Sequence, residues 1–168
     1  MVLPSLTYIG RREVKIRTFE KKDLPQCLKL ARKQYLESNI RHIPYHESYV
    51  KNSYLNSVGN PKYLVLVAEH EQKIVGACAV NLANYNFSYE MCVHDIFFYI
   101  EPEHRKGMLA KRFYDLVYQW GAKHGALEVI LTYAMGIENA RIKKFYNAMG
   151  FRHYGENYKK EIIEAWAE

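Results

Sequence analysis

Three places in this sequence combine residue types and spacing that could do chemistry. The first is residues 100–110 (IEPEHRKGMLA). An apolar run, residues 94–100 (HDIFFYI), stops at Pro102; a basic turn with Arg105, Lys106 and Gly107 follows; then apolar side chains recur at Leu109, Phe113, Leu116, Val117 and Trp120. That spacing predicts a strand, a turn and an amphipathic helix. The first turn of a helix has unpaired backbone N–H groups and the positive end of the dipole, so a glycine-bearing loop that opens a helix can hold a pyrophosphate. On this stretch alone an ordinary turn with solvated basic side chains reads equally well. The second place is residues 139–151 (NARIKKFYNAMGF), a predicted helix with Ile142, Phe145 and Met149 on its apolar face, closed by Gly150 and Phe151. Asn139 and Tyr146 lie two turns apart and so share a face. The third is the pair His94 and Asp95 in the strand before the basic turn, which strict alternation places on opposite faces, with Asp95 also opposite Ile100 unless a bulge intervenes.

The elements that must position these residues can be read in order. Residues 14–19 (VKIRTF) alternate as a strand with one solvated face. Asp23 then reads as the N-cap of a helix with Pro25 in its first turn and a stripe at Leu24, Cys27, Leu28, Ala31 and Tyr35. Pro44 is placed to open a second helix carrying Tyr45, Tyr49, Val50 and Tyr54, which Gly59-Asn60-Pro61 would end. Residues 63–69 (YLVLVAE) and 73–82 form a predicted hairpin, and after a turn at 84–88 (NYNFS) residues 90–100 supply a long strand. Three successive antiparallel strands ahead of a strand-loop-helix unit predict a mixed α+β sheet and exclude a doubly wound dinucleotide fold. Residues 127–133 (LEVILTY) read as a buried strand that a right-handed crossover lays parallel to the strand ending at Ile100. A closing hairpin is expected around Gly155-Glu156-Asn157.

Composition bounds the function. At 168 residues, 49% apolar and 25% charged, the chain is expected to form one domain, 1–168, with a full core. Net charge +6 and a pI near 9.1 favour anionic partners. The basic pairs Arg11-Arg12, Lys21-Lys22, Lys143-Lys144 and Lys159-Lys160 are scattered, however, which argues against direct nucleic-acid binding. Three cysteines, Cys27, Cys78 and Cys92, without close spacing argue against a disulfide framework or a metal site and for a reducing compartment. The start, MVLPSLTYIG, has no basic region before its short apolar stretch, and no run is long enough to span a bilayer, so a cytoplasmic location is expected.

Ile100-Glu101-Pro102-Glu103-His104-Arg105 resembles the V-x-P-x-x-R that leads into the acetyl-CoA loop of the GNAT (GCN5-related) N-acetyltransferases, whose loop reads Q/R-x-x-G-x-G/A. With Arg105 first, Ala110 takes the last position and Met108 stands where the family has its middle glycine; a register starting at His104 would fit Gly107 but leave Leu109 at the small-residue position. The string from Asn139 to Phe151 resembles the family's second signature, N-x-x-A/I-x-x-F/L-Y-x-x-x-G-F, at every typed position. The resemblance implies a mixed, mostly antiparallel central sheet flanked by helices, with a splayed parallel strand pair forming the acetyl-CoA cleft.

It further implies direct transfer of an acetyl group from acetyl-CoA to a primary amine within a ternary complex. The N–H groups of Arg105, Lys106, Gly107, Met108, Leu109 and Ala110 would hold the pyrophosphate. The backbone of Phe98, Tyr99 and Ile100 would engage the pantetheine arm, Asn139 would steady the cofactor, and Tyr146 would protonate the departing sulfur. The amine must lose a proton before it attacks, and His94 and Asp95 are the candidates to take it. The segment between the first two helices would line the acceptor side, which makes Asn39, His42, Tyr45 and Tyr49, with His46, the candidates for substrate selection. The acceptor is a small amine, a protein amino group or an aminoacylated RNA, and a homodimer is compatible with all three. The competing reading is a noncatalytic acyl-CoA-binding or nucleic-acid-binding module on the same fold, to which Met108 and the basic pI lend weight.

Overall fold

The computed structural model describes residues 14–105, 108–132, 140–155, 158 and 160. Lys106, Gly107 and Asn139 lie outside the described residues, as do the first thirteen residues, Tyr133 and the centre of the expected closing hairpin. Among the described residues five strands form one sheet in the order β1-β2-β3-β4-β5: β1 Lys15–Thr18, β2 Tyr63–His70, β3 Lys73–Asn84, β4 Met91–Ile100 and β5 Ala126–Ile130. The first four pair antiparallel and β4 pairs β5 in parallel. Among the described residues four α-helices flank them: α1 Leu24–Glu37, α2 Glu47–Ser57, α3 Leu109–Lys123 and α4 Ala140–Ala148.

Helices on both faces explain the sequence of the central strands. One core joins Leu66, Cys78, Val80, Val93 and Ile100 to Leu109, Phe113, Val117 and Trp120 of α3. The other joins Val65, Val67, Ala77, Ala79 and Tyr99 to Cys27 and Leu30 of α1 and Tyr54 of α2. A strand buried on both faces has no solvated side to alternate with, so β2 and β3 read as nearly unbroken apolar runs. Gly121 lets α3 lie close on β4, since a Cβ there would stand 2.7 Å from Val93 Cγ2.

Three local expectations need correction. Asp23 does hold the N-cap position of α1, but its side chain does not cap the helix: its backbone is helical, it closes a 3₁₀ turn, and its carboxylate accepts the Glu20 N–H (2.8 Å) and binds the Arg17 guanidinium (2.6 and 2.8 Å). A buried carboxylate with a guanidinium at hand is better satisfied there than by two helix amides. The second helix opens at Glu47 rather than Pro44. Tyr45 instead packs on Tyr35 (5.1 Å between ring centroids) beneath the Arg32 guanidinium (4.7 Å), while the Tyr35 hydroxyl sits 2.9 Å from the carbonyl oxygens of both Arg41 and Ile43. Those contacts tie the connection to α1 and delay the helix. Finally, β5 is only partly buried: Leu127 is 64% exposed, and the Glu128 carboxylate accepts the Tyr85 hydroxyl at the surface (2.5 Å). An apolar run reports what could be covered, and β5 has one strand neighbour among the described residues.

Candidate active site

The site begins where a ladder stops. β4 and β5 are paired from Met91↔Ala126 to His94↔Ile130, and among the described residues no pair follows His94. The amide of Thr132 donates to the Asp95 carboxylate at 2.7 Å. A carboxylate therefore stands at the fork where a backbone carbonyl would continue the ladder.

β4 carries a bulge at the same point. Val80 faces Asp95 and Ala79 faces Phe97, which leaves Ile96 as the extra residue. The bulge resets the alternation. Residues directly opposite share a face, so Asp95 joins Val80, Phe98 and Ile100 on the α3 face, whereas His94 joins Asn81, Phe97 and Tyr99 on the face that α1 and α2 cover. Strict alternation had put Asp95 opposite Ile100; the inserted residue overturns that. His94 and Asp95 remain on opposite faces, and both are half-buried. Burial pushes the Asp95 carboxyl above its ordinary range, against the opposing pull of the Thr132 amide.

The free edge of β4 has a readable polarity. Glu101 N–H donates to Val75 O (2.9 Å), so by antiparallel alternation the groups of Tyr99 point to β3 and those of Phe98 and Ile100 point outward, toward the gap. Both outward carbonyls are engaged: Phe98 O by the Gln34 side-chain amide (3.1 Å) and Ile100 O by Arg105 Nε (2.7 Å). The outward N–H groups of Phe98 and Ile100 face the gap as donors.

Arg105 is turned back onto the end of α1. Its Nη2 meets Glu37 Oε2 at 2.6 Å, its guanidinium lies 5.1 Å from the centre of the Tyr99 ring, and the Tyr99 hydroxyl donates to the other Glu37 oxygen (2.6 Å). Burial pushes the Glu37 carboxyl up, but those two hydrogen bonds outweigh it and hold the group below its ordinary value. The Arg105 N–H closes a turn onto Pro102 O (3.3 Å). Met108 occupies the N-cap of α3 with an exposed side chain that caps nothing, so the helix opens with the N–H groups of Leu109, Ala110 and the following residue lacking intrahelical partners. The Leu109 side chain goes into the core, while Ala110 is half-buried.

Tyr146 is placed by the end of its helix. Gly150 adopts φ +84°, Phe151 N–H donates to Tyr146 O and Gly150 N–H to Asn147 O, both at 3.0 Å, a paired closure that needs a residue tolerant of the left-handed region. Phe151 consequently packs on the Tyr146 ring (5.7 Å), and the Tyr146 hydroxyl lies 3.2 Å from that of Tyr114 on α3.

Around the residues expected to select the substrate the structure assembles less. Asn39, His42 and His46 are exposed, Tyr49 is 74% exposed, and Tyr45 is half-buried. The hydroxyl of Tyr45 is buried without a hydrogen-bond partner among the described residues, as is that of Tyr54. Gln34, Glu37, Ile96 and Tyr114 were not legible as site residues. Gln34 and Glu37 are three apart on one helix face, a faint signal; the bulge leaves none.

These residues fit acetyl-CoA. An uncapped helix start suits a pyrophosphate, and a strand edge with donors facing a gap suits an amide-bearing arm. The chain belongs to the GNAT acetyltransferase family, whose model matches residues 24–151. No curated protein sequence matches it. Solved structures of similar fold include the aminoglycoside N-acetyltransferase AAC(6')-Iy in complex with CoA, at TM-score 0.74 and 16% identity, covering 93% of this chain and 98% of that one. A predicted acetyltransferase from Clostridium acetobutylicum, solved with acetyl-CoA, aligns at TM-score 0.72 and 15% identity over 92% of this chain and 99% of that one. A transcriptional regulator from Bacillus halodurans C-125 aligns at 0.73 and 19% over 89% and 100%.

Proposed function

We propose that this chain is an acetyl-CoA-dependent N-acetyltransferase acting by direct transfer to a primary amine in a ternary complex. The observation that carries the reading is the broken β4–β5 ladder: its gap is faced by backbone donors of β4, and α3, which follows β4 in the chain, opens without a side-chain cap. When bound, acetyl-CoA supplies the activated acetyl thioester. The amides of Met108, Leu109 and Ala110, with those of Lys106 and Gly107, hold its pyrophosphate, and Asn139 steadies it. The outward N–H groups of Phe98 and Ile100 orient the arm and polarise a carbonyl placed against them. Tyr146 holds a proton at its hydroxyl for the leaving group.

Of the two candidate bases, His94 is favoured, because it lies on the face of the sheet shared with α1 and α2, while Asp95 is engaged at the fork. The acceptor enters from that face, near Asn39, His42, Tyr45 and Tyr49. A small-molecule amine is the preferred class, since neighbours of similar fold include aminoglycoside acetyltransferases.

The test is thiol release from acetyl-CoA, measured over a broad panel of amines that includes aminoglycosides, polyamines, peptides and aminoacylated RNA, with acetylated products identified by mass. Release that depends on one amine class supports the reading. Tight acetyl-CoA binding with no amine-dependent release would leave the noncatalytic module, a reading to which the regulator among the fold neighbours lends support.

A further inference from the structure

The second phenol of the site, Tyr114, has no role in the mechanism so far. It follows Phe113 on α3, but where Phe113 enters the core beneath the sheet, Tyr114 turns toward α4. Only 5% of it is exposed, and its ring is enclosed by Phe98 (5.0 Å), Phe145 (6.1 Å), Tyr146 (5.9 Å) and Phe151 (6.1 Å). The distance of 3.2 Å between the two hydroxyl oxygens permits either to donate.

Burial decides which one does. A phenol proton shut away from water must find an acceptor or forfeit its hydrogen bond, and the Tyr146 oxygen is the acceptor within reach of Tyr114 among the described residues. Tyr146 is half-buried and can turn its own proton elsewhere. The arrangement that satisfies both has Tyr114 donating to Tyr146. Burial and the neighbouring Tyr146 also push the ionisation of Tyr114 well above its ordinary range, so it stays a neutral donor wherever the enzyme works.

We infer that Tyr114 is a positioning residue for the proton donor Tyr146: its buried hydroxyl donates to the Tyr146 oxygen and aims the Tyr146 proton away from α3. It then stabilises the phenolate left behind when that proton moves to the leaving group. The bond that breaks is O–H of Tyr146, and the O–H of Tyr114 stays intact throughout. The inference rests on the reading of Tyr146 as the acid.

The test uses the full chain with 3-fluorotyrosine incorporated at position 146, its ionisation followed by ¹⁹F NMR without acetyl-CoA. A hydrogen bond to a charged oxygen is worth enough to move a pKa by about one unit or more, so Tyr114→Phe is expected to raise the ionisation of position 146 by that amount. No shift, or a fall, overturns the inference. A second reading needs no substitution of Tyr114 by Phe: with the label placed at 146 or at 114 in otherwise parental chains, position 146 ionises at the lower pH, and the reverse order is equally fatal.

Kinetics separate this claim from the one beneath it. Tyr146→Phe lowers kcat on the order of a hundredfold with KM for acetyl-CoA little changed, Tyr114→Phe lowers kcat less and moves the alkaline limb of the pH profile upward, and the double variant is no slower than Tyr146→Phe. Undiminished turnover in Tyr146→Phe would remove the acid itself, and the positioning role with it. A slow Tyr146→Phe beside additive losses in the double variant would remove only the positioning role.

Discussion

At the scale of single residues, Asp95 and His94 illustrate how one inserted residue reassigns chemistry. With Ile96 bulged out, Asp95 turns onto the α3 face and its carboxylate takes the Thr132 amide, while His94 keeps to the α1 and α2 face. Asparagine preserves the accepting oxygen at the fork and removes the cost of burying charge. Asp95→Asn is therefore expected to keep turnover within a few-fold of the parent and to melt at the same or a higher temperature at neutral pH. Asp95→Ala, which removes that acceptor from an exposed Thr132 amide that water can serve instead, is expected to lose no more than about 0.5 to 1.5 kcal/mol in denaturant unfolding. His94→Gln is expected to lose on the order of a hundredfold in kcat/KM. A large loss in Asp95→Asn and none in His94→Gln would reverse the assignment.

At the scale of elements, two helix ends do most of the positioning. The C-terminal closure of α4 depends on Gly150 at φ +84°, where an added Cβ would meet nothing within 4 Å, so the cost of a side chain there is backbone strain alone. Gly150→Ala is expected to lose about 1 to 2 kcal/mol of stability. Because the same closure seats Phe151 against Tyr146, the folded variant is also expected to show lowered kcat; an unchanged kcat would mean that the closure merely ends the helix. The start of α3 carries the opposite lesson. Met108 caps nothing and its side chain is exposed, so trimming it removes bulk without removing a contact from the core. Calorimetry is expected to find acetyl-CoA bound by Met108→Gly as tightly as by the parent, or more so, and a clear weakening would show that the methionine itself grips the cofactor.

At the scale of the molecule, the connection between the end of α1 and the segment after β4 runs through Glu37. It ends α1, holds Tyr99 of β4 and binds Arg105 after β4, while the neighbouring Lys33 reaches Glu101 (2.5 Å). Its ionisation is depressed in the folded chain, so the folded state binds fewer protons there than the unfolded state does. The stability it contributes is present above the ordinary carboxyl value of 4.5 and is lost as pH falls through the depressed one. Asp23, lowered by Arg17 and the Glu20 amide against the effect of burial, has the same sign around 3.8. Asp95, whose ionisation is raised, has the opposite sign, its contribution falling as pH rises. Glu37→Gln is expected to lower the melting temperature at pH 7, with the difference from the parent shrinking below about pH 4.5 as the parent's own carboxyl protonates. A difference that does not change with pH would show that Glu37 acts only by packing.

The sequence by itself determined the mixed sheet, the long strand that stops at Pro102, the helix after it and the Gly150-Phe151 closure. Each follows from forces between residues near in the chain: periodicity, a missing proline N–H, a glycine that tolerates positive φ. The placement of Tyr146 within α4 was legible for the same reason, since its helix and cap are local. Only the tertiary structure decided which way Asp95 faces, that β4 and β5 part after His94, that Arg105 turns back to Glu37, and that Tyr114 meets Tyr146. Those outcomes join residues from separate elements, and a bulge is set by how two strands fit against their neighbours, so they depend on the packing of the whole sheet and its helices.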